Sequence, residues 1–142
     1  MFFGTYTPKL DDKGRLILPA KFRDQLAGGL MVTRGQEHCL YVWPQDEIAR
    51  ITDRLREAPV SNKATRDYVR IFSSAASDET PDKQGRVTVP VTLRQYAGLD
   101  RDAVVIGIYD RIEIWEPAAW ASYTAEQESA FSDVQEEIFP GF

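Results

Sequence analysis

Asp11-Asp12-Lys13-Gly14-Arg15-Leu16-Ile17-Leu18-Pro19-Ala20-Lys21-Phe22-Arg23 is matched by Asp82-Lys83-Gln84-Gly85-Arg86-Val87-Thr88-Val89-Pro90-Val91-Thr92-Leu93-Arg94. Both stretches read Asp-x-x-Gly-Arg, a short β-type run, Pro, and an Arg four residues further on. The offset is 71 residues (82 − 11), about half of the 142-residue chain. Five residue identities at matched spacings point to a duplicated unit. A duplicated unit predicts a pseudo-two-fold molecule that carries two equivalent arginines, Arg15 and Arg86, on two equivalent turns.

Working outward, each copy repeats one plan. In the first, Gly4 to Leu10 reads as a strand, Lys13-Gly14 as a turn in which glycine supplies positive φ, and Arg15 to Leu18 as a second strand. Pro19 suits a first helical turn, where its missing N–H has no partner to lose. Phe22 and Leu26 give that short helix an apolar face, and Gly28-Gly29 stops it. Leu30 to Thr33 and Cys39 to Trp43 read as strands joined by a turn around Arg34-Gly35. Pro44 opens a longer helix, with Asp46 and Glu47 suiting its dipole and Ile48, Ile51 and Leu55 as a stripe assigned to the core, with a subunit interface as the alternative.

The second copy runs through a helix at Leu93 and Ala97, strands Val104 to Ile108 and Arg111 to Trp115, and a helix opened by Pro117. A Trp again precedes that proline (Trp43, Trp115). Residues 61–74 read as a connecting helix with Tyr68, Val69 and Phe72 on its apolar side. Residues 127–142 read as a frayed helix and loose end. The predicted fold is mixed α+β, two half-barrel units with small helices on the rim. One unit has too few strands and too small a core to stand alone, so the two are expected to close on each other and hide their edges.

Composition is that of an ordinary globular chain, 43% hydrophobic and 27% charged. No stretch approaches the ~20 apolar residues of a membrane span, and Met1-Phe2-Phe3-Gly4 leads into polar residues rather than a secretory leader. Cys39 is the single cysteine, so an intrachain disulfide is excluded and a cytoplasmic setting is expected. One Cys and one His cannot assemble a metal cluster. The net charge of −5 is unevenly spread: residues 116–142 hold six acids and no Lys or Arg, leaving 17 basic and 16 acidic side chains before them. The basic residues gather on the two motifs, with Lys9, Lys13, Arg15, Lys21 and Arg23 on one and Lys83, Arg86 and Arg94 on the other.

An arginine's planar fork donates two parallel hydrogen bonds, which suits guanine O6 and N7. A carboxylate four residues earlier, Asp11 or Asp82, lies across the turn and can hold the guanidinium in one rotamer. Lys9, Lys13 and Lys83 can neutralise phosphates without reading sequence, and Arg23 and Arg94 either join them or brace the turn. A single Asp-x-x-x-Arg is ordinarily a surface ion pair of little consequence; two copies related by a pseudo-dyad are better explained by a shared task. His38-Cys39 is rejected as a nucleophile and base, since neighbours on a strand face opposite ways and no oriented triad accompanies them. The acids Asp46, Asp53 and Glu57 interleave with Arg50, Arg54 and Arg56, as on an ion-pair-laced helix surface. Trp43, Trp115 and Trp120 are assigned to the core or an interface.

The two motifs, the Pro-opened helices after them, the length and the start Met-Phe-Phe-Gly resemble the MraZ family of bacterial transcription regulators. The resemblance covers essentially residues 1–125. It implies the swapped-hairpin β-barrel of the SpoVT–AbrB class, with repeats at 1–60 and 75–125, the connecting helix at 61–74 and an acidic tail at 126–142. It also implies sequence-specific binding of double-stranded DNA at short, direct, G-containing repeats upstream of the division and cell-wall gene cluster. A homo-oligomeric ring at the nucleoid is implied as well, with no cofactor, metal, membrane or small-molecule substrate and no enzymatic activity. Asp11 and Arg15 match the first family motif, Asp82 and Arg86 the second. Gln84 replaces Lys13 and Thr92 replaces Lys21 in the second copy, which favours Arg15 over Arg86 as base reader. The competing reading is a ring-forming interaction module whose basic turns bind an acidic partner.

Overall fold

The two copies build one another's sheets. The computed structural model describes residues 1–138, with side chains through Asp133. The elements are β1 (Thr5–Tyr6), β2 (Arg15–Ile17), α1 (Arg23–Leu26), β3 (Leu30–Arg34), β4 (Leu40–Pro44), α2 (Gln45–Glu57) and α3 (Lys63–Ser74), followed by β5 (Ser77–Glu79), β6 (Arg86–Thr88), α4 (Val91–Tyr96), β7 (Val104–Ile108), β8 (Arg111–Trp115) and α5 (Pro117–Ile138). Antiparallel pairing produces a six-stranded sheet in the order β1-β7-β8-β4-β3-β5 and a separate two-stranded ribbon, β2-β6. The fold is therefore mixed α+β with small helices. Its six-stranded sheet ends at β1 and β5, and strand pairing does not close it into a barrel.

The pairing crosses between repeats. β1 of the first repeat joins β7 of the second, and β5 of the second joins β3 of the first. In the ribbon Leu16 faces Val87, flanked by Arg15 opposite Thr88 and Ile17 opposite Arg86. Since residues 15–17 are the equivalents of 86–88, this register reads the same from either end. The same holds where the hairpins meet: Tyr41 faces Glu113, with Leu40 opposite Ile114 and Val42 opposite Ile112. One pseudo-two-fold thus relates the ribbon and the sheet.

Burial follows the duplication. Leu16, Leu18, Phe22 and Leu26 of the first repeat meet Val87, Val89, Leu93 and Ala97 of the second in one apolar core, joined by Leu30, Val32, Leu40, Val42, Val105, Ile112 and Ile114 from the sheet. Each such aliphatic or aromatic side chain contributes about 1.5–3 kcal/mol when fully buried. On the opposite side of β8, Trp115 packs edge-on to Trp120 and beside Tyr123, both on α5. Glu113 is buried there but satisfied. It accepts from Arg111 Nη2 at 2.8 Å and from Trp115 Nε1 at 3.0 Å, and Arg111 stacks over the Tyr41 ring.

Five expectations change. The first strand shrinks from Gly4–Leu10 to Thr5–Tyr6, because Pro8 has no N–H for a ladder; beyond it only the bridges Lys9–Asp102 and Leu10–Leu16 form. The Ile48, Ile51 and Leu55 stripe is only half-buried, and α2 buries no residue completely. That stripe lines a cleft of about 260 Å³ shared with Met31, Trp43 and Phe72. The acidic segment does not fray at residue 127 but continues α5 to Ile138, while 139–142 lie outside the described residues. His38 and Cys39 are not on a strand: His38 has φ +60° in the loop between β3 and β4, and its ring lies 4.9 Å from Tyr96. Cys39 is buried with its Sγ–H donating to the Gln36 carbonyl, and burial pushes its thiol pKa far up, which leaves it unreactive. Among the described residues, Arg50 and Glu47 are the one ion pair that the α2 charges form, at 3.3 Å.

Candidate nucleic-acid interface

Each motif folds into a tight turn stapled by its aspartate. Asp11 N–H donates to the Arg15 carbonyl at 2.8 Å and Gly14 N–H to the Asp11 carbonyl at 3.0 Å; in the second copy the matching distances are 3.0 and 2.9 Å. Asp11 Oδ1 accepts from the N–H groups of Lys13 and Arg15, both at 2.9 Å, and Asp82 Oδ1 from those of Gln84 and Arg86, also at 2.9 Å. A side chain that replaces backbone partners in this way is what makes Asp a turn residue. The second oxygen holds the arginine: Arg15 Nε donates to Asp11 Oδ2 at 2.8 Å and Arg86 Nε to Asp82 Oδ2 at 2.7 Å. The N–H of the arginine residue is the main cause that keeps each carboxyl below its ordinary pKa, opposed in part by desolvation and reinforced by the guanidinium and the second turn N–H.

The arginines are less exposed than the tip of a hairpin would make them. They begin β2 and β6, and their side chains are 28% and 29% exposed; Lys13, Lys83 and Gln84 occupy the exposed tips. Strand alternation turns Leu16 and Val87 into the core and places Arg15, Ile17, Arg86 and Thr88 on the outer face of a single ribbon. Arg15 and Arg86 are therefore diagonal neighbours across two strands, about 7–8 Å apart. Each spends only its Nε on the aspartate. Among the described residues no hydrogen bond occupies the Nη groups of either arginine.

The turns are also cross-braced. Leu18 N–H donates to the Gly85 carbonyl at 2.9 Å and Val89 N–H to the Gly14 carbonyl at 2.8 Å. Arg94 Nε donates to the Val89 carbonyl at 2.8 Å and Arg23 Nε to the Leu18 carbonyl at 3.1 Å. Gly14 has φ +72° and Gly85 φ +77°. A Cβ added to Gly14 would lie 2.7 Å from the Arg94 guanidinium carbon, and one on Gly85 2.6 Å from Arg23 Nε. Glycine is required at both turns, for its left-handed backbone and for the arginine of the other repeat stacked against it.

Of the sequence-derived candidates, Arg15, Arg86, Asp11, Asp82, Lys13 and Lys83 gather at the ribbon and its two turns. Arg23 and Arg94 are engaged as braces. Lys9 lies 3.2 Å from Asp102, both well exposed. Motif reading does not single out Ile17 and Thr88; the apolar-polar-apolar run Val87-Thr88-Val89 carries a strand signal for Thr88, whereas Leu16-Ile17-Leu18 is apolar throughout and carries none for Ile17. Among the described residues no group of acids, His and Cys is placed to hold a metal ion, and no helix is long and apolar enough to cross a membrane.

Fold and site together define a duplicated protein in which two strand-exchanged repeats present a pair of aspartate-held arginines on one ribbon. A family model described as "MraZ protein, putative antitoxin-like" matches the chain twice, over residues 1–71 and 72–140. The chain is 62% identical over 141 residues to a protein of Salinispora arenicola (strain CNS-205) named Transcriptional regulator MraZ, covering 99% of both chains. Proteins of the same name from Micrococcus luteus and Thermobifida fusca are each 61% identical over the same length and coverage. The chain belongs to the MraZ family, a family of DNA-binding transcriptional regulators rather than enzymes.

Proposed function

We propose that this protein regulates transcription by reading guanines with Arg15 and Arg86, seated together in the major groove of double-stranded DNA. The observation that carries the reading is the shared outer face of β2 and β6: two arginines, each fixed through Nε, each with both Nη groups left to donate. A major groove admits a two-stranded β-ribbon, and the forked contact to O6 and N7 is the natural task of such a side chain. Asp11 and Asp82 fix the rotamers in advance, so less side-chain freedom is lost on binding. Lys13 and Lys83 at the turn tips, together with Lys9, supply sequence-independent attraction to phosphates. Arg23 and Arg94 serve mainly as braces through their Nε bonds to the Leu18 and Val89 carbonyls, and their remaining N–H groups add to the attraction for phosphates.

The target is the promoter of the division and cell-wall gene cluster, through short, G-containing direct repeats. The repeats at 1–60 and 75–125 act as the two halves of a swapped-hairpin barrel of the SpoVT–AbrB class, supported by the exchange of β1 and β5. The helix at 61–74 links them, and residues 126–142 form the acidic C-terminal segment. Several chains assemble as a ring, supported by the half-exposed stripe of α2 and by Ile71 and Phe131, both more than half exposed. A ring makes several weak contacts into one tight one when binding sites repeat. The protein acts in the cytoplasm at the nucleoid without a cofactor.

The test is an electrophoretic shift on the duplex upstream of the protein's own gene beside a scrambled duplex of equal length, at ~150 mM salt. Much tighter binding to the native duplex is expected. Equal binding to both would instead favour basic turns that recognise an acidic surface of any kind.

A further inference from the structure

The outer face of the ribbon carries one side chain that neither the turn nor the core explains. Ile17 is 49% exposed, flanked in sequence by buried Leu16 and Leu18, and faces Arg86 directly across the ladder. Its equivalent in the other repeat is Thr88 (88 − 17 = 71), which faces Arg15. The ribbon is two-fold symmetric in its arginines and asymmetric in the residue beside each. One arginine has an aliphatic neighbour and the other a hydroxyl.

We propose that Ile17 is a specificity-determining residue that packs on the C5-methyl of a thymine next to the guanine held by Arg86, so that the two halves of the ribbon read different base steps. The inference rests on the DNA-reading role of the arginines given above. Directly paired residues of an antiparallel ladder have Cβ atoms about 4.5–5.5 Å apart. Bases rise about 3.4 Å per step, so side chains paired in this way meet adjacent base pairs, whereas Arg15 and Arg86 on the diagonal are about two steps apart.

In the major groove thymine presents a methyl group beside its O4 acceptor, and cytosine presents an amino donor. Ile17 can gain from the methyl and can satisfy neither polar group. A cytosine beneath it would bury its amino group without a partner, which is costly. The Thr88 hydroxyl donates or accepts, so either pyrimidine is tolerated there. Ile17 selects thymine, and Thr88 is permissive.

The experiment replaces each thymine of the native duplex, one at a time, by deoxyuridine, which removes only the methyl. Affinities are measured by gel shift for the wild-type protein, Ile17→Thr and Thr88→Ile. Both variants keep a β-branched residue at an exposed strand position, and matching melting curves check that they fold. In the wild type a thymine beside a guanine should show a loss of about fourfold, the worth of one buried methyl. Ile17→Thr should still prefer the native over the scrambled duplex but lose that uracil sensitivity. Thr88→Ile should acquire a new sensitive position. Specific binding with no uracil-sensitive thymine, or sensitivity unchanged in Ile17→Thr, overturns the proposal. Failure of the wild type to distinguish native from scrambled duplex overturns the DNA reading itself, and this proposal with it.

Discussion

The two arginine turns match bond for bond, whereas the side chains around them differ. Nε to carboxylate is 2.8 Å in one and 2.7 Å in the other, and all four aspartate contacts to turn N–H groups are 2.9 Å. Both glycines stand under an arginine of the opposite repeat. Yet Lys13 corresponds to Gln84 and Ile17 to Thr88, and on the dyad of the sheet Tyr41 meets Glu113. The symmetric part is the device that fixes an arginine. The asymmetric part lies in outward residues, in core pairs such as Leu16 and Val87 or Phe22 and Leu93 that stay apolar, and at Tyr41 and Glu113, which serve a local ion pair. A duplicated protein can let its halves diverge wherever the divergence leaves the shared backbone hydrogen bonds intact.

The comparison breaks most severely at its centre. Leu16 has no exposed surface and faces Val87 on the pseudo-dyad. Leu16→Ala should lower unfolding stability by about 2–5 kcal/mol, measured by urea titration, and should loosen both turns at once because each is bonded to the other strand. A loss confined to the first turn, read from amide exchange of residues 11–15 against 82–86, would mean that the halves are mechanically separate.

The next effect is on DNA. Arg15→Ala and Arg86→Ala should each leave the protein folded and weaken binding to the native duplex by about 5- to 150-fold, corresponding to about 1–3 kcal/mol for a forked base contact. The larger loss is expected at Arg15, whose repeat carries Lys13 and Lys21 where the other has Gln84 and Thr92. Unchanged affinity in Arg15→Ala would leave the pair as ordinary turn ion pairs.

Much of this plan was legible in the sequence, and the unread parts share a cause. The Asp-x-x-Gly-Arg turns, Pro-opened helices and hairpin strands are encoded within a few residues. The braces are not: nothing near Gly14 in the chain announces that Arg94, 80 positions away (94 − 14), fills the space a Cβ would need. The exchange of β1 and β5 is likewise a choice between two chemically similar partner hairpins. The Ile48, Ile51 and Leu55 stripe satisfies helical periodicity, but periodicity tells which side is apolar, not what covers it.

A smaller effect concerns pH. Both aspartates are held below the ordinary value of 3.8. A depressed carboxylate contributes stability that is complete above its unfolded value and is lost as pH falls through its folded value. The turns should therefore keep their order from neutral pH down to about 4 and open only below 3.8, the two together. Backbone amide shifts of Arg15 and Arg86 followed through an acid titration would show this; a midpoint above 3.8 at either turn would contradict the aspartate staple there.

The smallest effect tests the asymmetry itself. Lys13→Gln gives the first turn the second's residue at one tip position, while Asp12 still stands where the second has Lys83, and leaves the arginine and its aspartate untouched. Lys13 lends only its backbone N–H to Asp11, so the turn should survive unchanged. A phosphate-neutralising lysine releases counterions, and its loss should flatten the salt dependence of binding by about 0.9 in log–log slope for each such contact. Preference for the native over the scrambled duplex should stay the same, because phosphate contacts position a protein without reading sequence. A drop in that preference with an unaltered slope would place Lys13 on a base edge and make the two turns different readers rather than differently charged copies of one.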